Sequence, residues 1–429
     1  MADEIPTVQI LDKKNYFEQA LVAFPNALPY PPLAPSSLRL RTTVLSLTVN
    51  NFTYAALGDL LHWWDVHPLP ASTPAPYNDS AKYGRISAWG YAEVLASTEP
   101  SIPAGSYVWG YVPLGTLAQD VEIARHPSAA DQLFVTSGYR RHVMPIYNRY
   151  FLYPPSRGAE IAAKTHAVAH DAALRVMHAT AFLMASFVFS PDAARVVAPG
   201  PGPVDVDDKT WSAAADADLA DATVLIVAPG SKAAALFAAL LRSRGEDLAG
   251  ARPRRVVGVS SEASRAFVEG TGLYDAVLLT SAGDPSVAVD GLGDAGKRVV
   301  VFDFGGRAGV GPRWAAALAA KYPGLLFVGV GSEVLHPTAV GKVLAGAAAV
   351  PPPYKAVRVS AGDMRQRAMA RVGEEGYWAE EARSWEGFRR DGIKGLKMTW
   401  GEGMGDVVKG WDRLARGEVL PSEGLVYKL

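Results

Sequence analysis

Gly230, Ser231 and Lys232 follow directly on an apolar run, Val224 to Val227, and open an Ala-rich stretch that reaches Arg242. An apolar strand that enters a small-residue turn and then a helix presents helix N-terminal N–H groups at the carboxyl end of a sheet. A pyrophosphate can be held there. Gly230 would let the backbone approach it, and Ser231 and Lys232 would donate to phosphate oxygens. The glycine fingerprint is degenerate, because Ala228, Gly230 and Ala233 to Ala235 stand where GxGxxG is expected, and such a loop alone is a weak signal. No GxxxxGK[ST] is present, which argues against triphosphate hydrolysis.

The next apolar run, 254–261, ends in Ser260, Ser261, Glu262 and, one turn on, Arg265. A site built for NADH places Asp or Glu near the end of this strand to bond the ribose 2′-hydroxyl. Ser260, Ser261 and Arg265 instead suit a 2′-phosphate, with the guanidinium offering a charge-assisted fork. The pattern therefore favours NADPH. Glu262 would take the acidic role if the strand ended one residue later, and Ser260 to Ser264 also read as caps of the following helix. Asp303 ends a further run, 298–306, on the ligand-binding edge of the sheet, where it either meets the cofactor or anchors its own turn.

These residues need a parallel sheet to position them. Runs at 223–227, 254–261, 275–280 and 298–306, with helical stretches between them, read as βαβ units. The first 150 residues differ, with short β-type runs (Leu38 to Val49, Gly105 to Val112) rich in Pro, Tyr and Trp. A helical segment over 159–188 follows, then a Pro/Gly-rich stretch from Pro191 to Pro203 with an acidic tail to Asp208, which reads as a linker. After 350–355 come a helix over Asp363 to Arg390, a β-like run at 396–400 and a last helix from Gly405 to Arg416. The reading is an α/β chain: residues 1–165 a β-rich first domain, 166–350 a Rossmann-type doubly wound domain, and 351–429 a return to the first.

Composition narrows the function classes. At 429 residues two domains are expected, and 49% apolar with 20% charged residues is a globular balance. A net charge of −1 leaves no basic field for nucleic acid. The N-terminus lacks the pattern of a secretory signal, and Val176 to Phe189 is too short for a span and reads as a buried helix, so no membrane partner and a cytoplasmic location are expected. With no cysteine, a disulfide framework, a catalytic thiol and a thiolate zinc site are excluded. The histidines show no metal-ligand spacing. His166 and His170 share a helix face, better suited to solvent or a domain seam than to a metal.

The chain resembles the medium-chain dehydrogenase/reductase superfamily, a GroES-like domain followed by a Rossmann domain. More narrowly it resembles an uncharacterised domain-of-unknown-function family of fungal and bacterial proteins related to it. The residues that carry the narrower likeness are 48–59, TrpTrpAsp at 63–65, 83–94, TyrAsnArgTyr at 147–150 and 266–275. The resemblance implies a reductase using a nicotinamide cofactor. Lacking cysteine, the chain is similar to the zinc-independent branch of quinone and enoyl reductases, and no metal is expected.

The resemblance also implies that the segment Asn50 to Tyr54 faces the nicotinamide. Tyr54 is the first candidate for proton donor, Thr53 a second, and Asn50 or Asn51 would fix the nicotinamide or a substrate carbonyl. The same residues would equally satisfy backbone groups at a strand-to-helix turn. Tyr147, Asn148 and Tyr150 form a polar-aromatic cluster suited to substrate at an interdomain cleft, or to an interface with wet hydroxyls. His62 and Trp64 would line a ligand pocket, although Trp pairs more often pack. The function expected is an NADPH-dependent reduction of an activated alkene or carbonyl in a small apolar metabolite, of the kind found in secondary metabolism. The alternative is a non-redox enzyme (lyase, hydrolase or isomerase) or a ligand-binding protein that has lost its cofactor. A homodimer through the sheet edge is expected by analogy.

Overall fold

The computed structural model describes residues 5–200, 211–244, 252–291, 298–331, 333–334, 336–339 and 352–429. The acidic tail before Asp208 and the start of the 350–355 segment lie outside them. Six parallel strands form one sheet in the order Ala276–Leu279, Arg255–Ser260, Ala222–Val227, Arg298–Phe304, Leu326–Gly331, Lys355–Arg358. By chain order this is 3-2-1-4-5-6, the doubly wound dinucleotide-binding arrangement. The central strands are covered on both faces, which is why they read as continuous apolar runs rather than alternating ones.

The β-rich domain closes into a barrel. Ser37–Leu47 pairs with Ser87–Ser97 on one side and with Gln119–Arg125 on the other, and Tyr107–Pro113, Arg149–Tyr153 and Gln132–Val135 complete the ring. Gly110 is required inside it, because a Cβ there would stand 2.3 Å from the Tyr150 ring. The chain's end returns to this sheet. Glu423–Lys428 runs antiparallel to Ser37–Leu47 and parallel to Lys397–Glu402.

Between the halves lie the helices His166–Ala173 and Arg175–Leu183, the latter continued by a π-helical turn to Val188. The two helices are bent by 58° as a pair, and no single helix among the described residues is long and apolar enough to cross a membrane. Three features depart from the sequence reading. Lys355–Arg358, assigned to the returning segment, is the edge strand of the parallel sheet. Leu326–Gly331 is a strand the sequence reading does not name. The single helix over Asp363 to Arg390 is two, Ala361–Val372 and Glu374–Asp391, parted at Gly373, whose φ of 78° no helical residue adopts.

Candidate functional site

The nucleotide turn is the first component. Strand Ala222–Val227 delivers the chain to Ala228, held at φ 58°, a left-handed conformation normally left to glycine. The carbonyl of Pro229 accepts from the Tyr274 hydroxyl at 2.7 Å, which pins the turn to the neighbouring strand's connection. Ser231 is the N-cap of the helix Lys232–Arg242, its side chain accepting from the Ala234 N–H at 3.3 Å. The Lys232 ammonium donates to the Glu423 carbonyl at 2.8 Å, and burial pushes its pKa down to about 8. The carboxylate of Glu423 is itself held by Arg413 at 2.7 and 3.1 Å. Lys232 is thus a desolvated cation at a helix N-terminus that feels the Glu423 carboxylate but makes no ion pair among the described residues, which fits an anion. Gly230 faces Pro421, whose Cβ would lie 3.0 Å from any Cβ placed there, so the returning C-terminal segment roofs the turn.

At the end of the neighbouring strand, Ser260 is buried with its hydroxyl on the Ser261 carbonyl at 3.0 Å, and Ser261 is the N-cap of Glu262–Thr271, its hydroxyl 3.1 Å from that of Ser264. Arg265 is exposed on the first turn of that helix and paired with Glu269 at 2.8 Å. Asp303 accepts from the N–H groups of Gly305 and Gly306 at 3.0 and 2.7 Å, and burial raises its pKa. Of its two expected roles it performs the anchoring of its own turn.

The second component lies in the barrel. Helix Val49–Ala56 turns Asn51, Phe52 and Tyr54 inward and leaves Asn50 and Thr53 partly open. Asn51 is committed to structure: its side-chain oxygen accepts from the Thr48 N–H at 2.7 Å, and its amide donates to the Ser87 carbonyl at 2.9 Å. Tyr54 sits in a box of rings made with Trp63, Tyr111, Tyr147 and Trp89, with centroid separations to the first three of 4.8, 5.2 and 6.0 Å. Such contacts contribute about 0.5–1.5 kcal/mol each beyond area burial. The Trp89 indole N–H donates to the Tyr54 oxygen at 3.1 Å, and Tyr147 and Asn50 also lie within hydrogen-bonding reach of it. Burial pushes the phenol up to about 12, so it keeps its proton at neutral pH. Of two further buried groups of the box and its floor, Trp63 Nε1 lies within reach of Tyr147, and the Tyr111 hydroxyl has no hydrogen-bond partner among the described residues.

The two components approach each other through rings. His336, in the loop after Leu326–Gly331, stacks edgewise on Phe17 at 5.2 Å, and Phe17 on Phe52 of the Tyr54 helix at 5.5 Å. Through Phe17 the loop that follows Leu326–Gly331 thus reaches the buried face of the helix that carries Tyr54.

A family model described as a protein of unknown function, DUF2855, matches residues 45–420. The chain belongs to this family. No curated protein matches it. Among solved structures it is similar to the CurF ER cyclopropanase from the curacin A biosynthetic pathway, at 14% identity, TM-score 0.52 and 99% coverage of each chain. It is also similar to a mutant enoyl thioester reductase from Candida tropicalis, at 12% identity and TM-score 0.51, covering 99% of this chain and 100% of that one. CurA from Vibrio vulnificus in complex with NADPH matches at 12% identity and TM-score 0.50, over 96% and 94% of the two chains. The fold of this DUF2855 member is that of the medium-chain reductases, a GroES-like barrel with a Rossmann domain.

Within that fold the remaining predicted residues fall into two groups. Tyr147 belongs to the aromatic box. Tyr150 is buried beside it, bonding the Tyr111 carbonyl, and Asn148 donates to the Arg140 carbonyl at 3.3 Å, so both hold the wall rather than face a ligand. His62 and Trp64 lie elsewhere: His62 is half-buried with Asp65 at 3.0 Å, and Trp64 lines an open pocket on the barrel's flank. His170, read as a seam residue or solvent-exposed, is buried with Nδ1 on the Arg389 carbonyl at 2.8 Å. Among the described residues no group of three or more His, Asp or Glu side chains is placed to hold a metal. The sequence reading passes over Trp89, Tyr111 and Trp109 as ligand candidates. Their signal is an alternating aromatic stripe, Trp89 and Tyr91 on one strand and Tyr107, Trp109 and Tyr111 on the next, which is the period of one sheet face.

Proposed function

We propose that the protein is an NADPH-dependent, zinc-independent reductase of an activated alkene or carbonyl in a small apolar molecule. The observation that carries this reading is Lys232, a desolvated ammonium whose hydrogen bond goes to a backbone carbonyl, at the N-terminus of the first helix of a 3-2-1-4-5-6 sheet. Gly230, Ser231 and Lys232 would hold the pyrophosphate, and Ser260, Ser261 and Arg265 would receive the 2′-phosphate, with Arg265 released from Glu269. NADPH supplies the hydride when bound. On the chain's side, the aromatic box excludes water, and Tyr54 donates its proton to the substrate oxygen or α-carbon. Its own oxygen accepts from Trp89, and its proton would go to the substrate in place of Tyr147 or Asn50, which also lie within its reach. Thr53 and Asn50, on the open side of the same helix, orient the substrate. The NADPH-bound CurA and the enoyl thioester reductase of the same fold support the cofactor and the reaction class.

The test is a titration with NADPH and separately NADH, read by Trp emission and energy transfer to the nicotinamide, at pH 7 and at pH 9. Saturation by NADPH, with a much weaker response to NADH, is expected. Because the Lys232 pKa is lowered, its ammonium is lost as pH rises through about 8, so NADPH affinity falls between the two pH values and Lys232→Met removes that fall. No response to either nucleotide at millimolar concentration would leave the non-redox alternative standing.

A further inference from the structure

The barrel carries an open pocket of about 360 Å³ on its flank, apart from the aromatic box. Lys13, Trp64, Tyr83, Tyr139, Arg141 and His142 line it. Its volume falls within the range that takes a small organic molecule. The Lys13 ammonium lies 5.7 Å over the Trp64 ring. Arg141 is exposed, and its Nε donates to His142 Nε2 at 2.9 Å. One carboxylate lines the pocket, Asp65, and it faces His62 Nδ1 at 3.0 Å.

Two buried guanidiniums adjoin lining residues in the chain. Arg85 is 3% exposed and Arg140 is 1% exposed. Arg85 follows the lining residue Gly84 and donates to the carbonyl of another, Pro68, at 3.3 Å, while its Nε and Nη2 have no partner. Arg140 lies in the chain between Tyr139 and Arg141, and gives Nη1 to the Tyr150 hydroxyl at 3.2 Å and Nη2 to the Tyr147 carbonyl at 2.6 Å. Its Nε is unpartnered. Neither forms an ion pair among the described residues. His67, close enough to feel both charges, is held neutral by burial and supplies no counter-charge. Buried charge of one sign without a counter-ion is costly, and here it adds to the field of Lys13 and Arg141 around an aromatic-lined opening.

We propose that this pocket binds a small organic anion, a carboxylate or phosphate carried on a planar apolar body. Lys13 and Arg141 hold the anionic group, Trp64, Tyr83 and Tyr139 cover the body, and Arg85 and Arg140 supply field from behind. The site is independent of the nucleotide turn.

Calorimetric titration of the full chain at low ionic strength with benzoate, phenyl phosphate and benzyl alcohol tests this. At least one of the two anions is expected to bind saturably and about tenfold or more tighter than the neutral alcohol, with the stronger of the two naming the preferred group. Lys13→Met and Arg141→Gln, at positions outside the core, each weaken the anion by about fivefold to tenfold, and Lys232→Met leaves it unchanged. Equal affinity for benzyl alcohol, no saturation by either anion at millimolar concentration, or a loss caused by Lys232→Met and by neither pocket substitution would overturn the proposal.

Discussion

Two groups of buried charge in this molecule are built in opposite ways. At the seam between the halves, Asp171 is 1% exposed and both of its carboxylate oxygens accept hydrogen bonds. The Tyr91 hydroxyl donates to it at 2.6 Å, the Trp385 indole at 2.9 Å, and Arg389 closes on it through Nη2 at 2.8 Å and Nε at 3.1 Å. Its backbone carbonyl accepts from Trp109 at 3.0 Å. One carboxylate thus ties the barrel, the central helices and the C-terminal helix Glu374–Asp391 together. In the barrel wall, by contrast, Arg85 and Arg140 are equally buried, and three of their nitrogens have no partner. A satisfied network fixes a structure, whereas buried charge left unsatisfied costs stability and persists where something else compensates it. The difference separates a structural joint from the charged backing of the proposed pocket.

The largest expected effect breaks the joint. Asp171→Asn keeps the shape but leaves Arg389 without its counter-charge and offers an amide where donors converge. Loss of one partner from such a buried network costs about 3–5 kcal/mol. Denaturant unfolding of the variant should show that loss as a lowered midpoint. A change below about 1 kcal/mol would mean the seam is not what holds the halves, and the contrast drawn above would fail.

Arg85→Met sharpens the same contrast from the other side. It replaces an uncompensated guanidinium with an apolar chain of similar length, so stability should hold or rise by roughly 1–2 kcal/mol. Marked destabilisation in the same unfolding experiment would show that the partner of Arg85 is protein and not ligand, and would remove the field behind the flank pocket.

The parallel sheet is legible in the sequence because its central strands are buried on both faces, so 224–227 and 299–302 stand out as unbroken apolar runs. Leu326–Gly331 ends in alternating glycines, and Lys355–Arg358 is a half-exposed edge with a charge at each end, and neither carries that signature. The turn at Gly230 to Lys232 is local and therefore readable. The aromatic box is not, since Tyr54, Trp89, Tyr111 and Tyr147 meet only after the barrel closes, and Tyr54 points into that box rather than along the open helix face that Asn50 and Thr53 share. That Arg85 and Arg140 both act on the buried His67 is invisible for the same reason: the residues flanking each give no hint of it.

The smallest effect concerns the turn, where sequence and structure disagree over a single methyl group. A glycine is expected where Ala228 stands, and the structure keeps the glycine's conformation, φ 58°, with alanine in it. A left-handed alanine costs roughly 1–2 kcal/mol. Ala228→Gly relieves that strain but adds chain freedom to the unfolded state, worth about 0.4–1 kcal/mol in the opposite direction. The net expectation is a gain of about 0.5–1 kcal/mol, seen as a small rise in the unfolding midpoint. The turn itself should not move, because Tyr274 on the Pro229 carbonyl and Pro421 over Gly230 hold it from both sides. A stability loss on Ala228→Gly would mean that the alanine methyl packs to advantage in the turn. The departure from the glycine fingerprint would then be a repacked turn rather than a strained one.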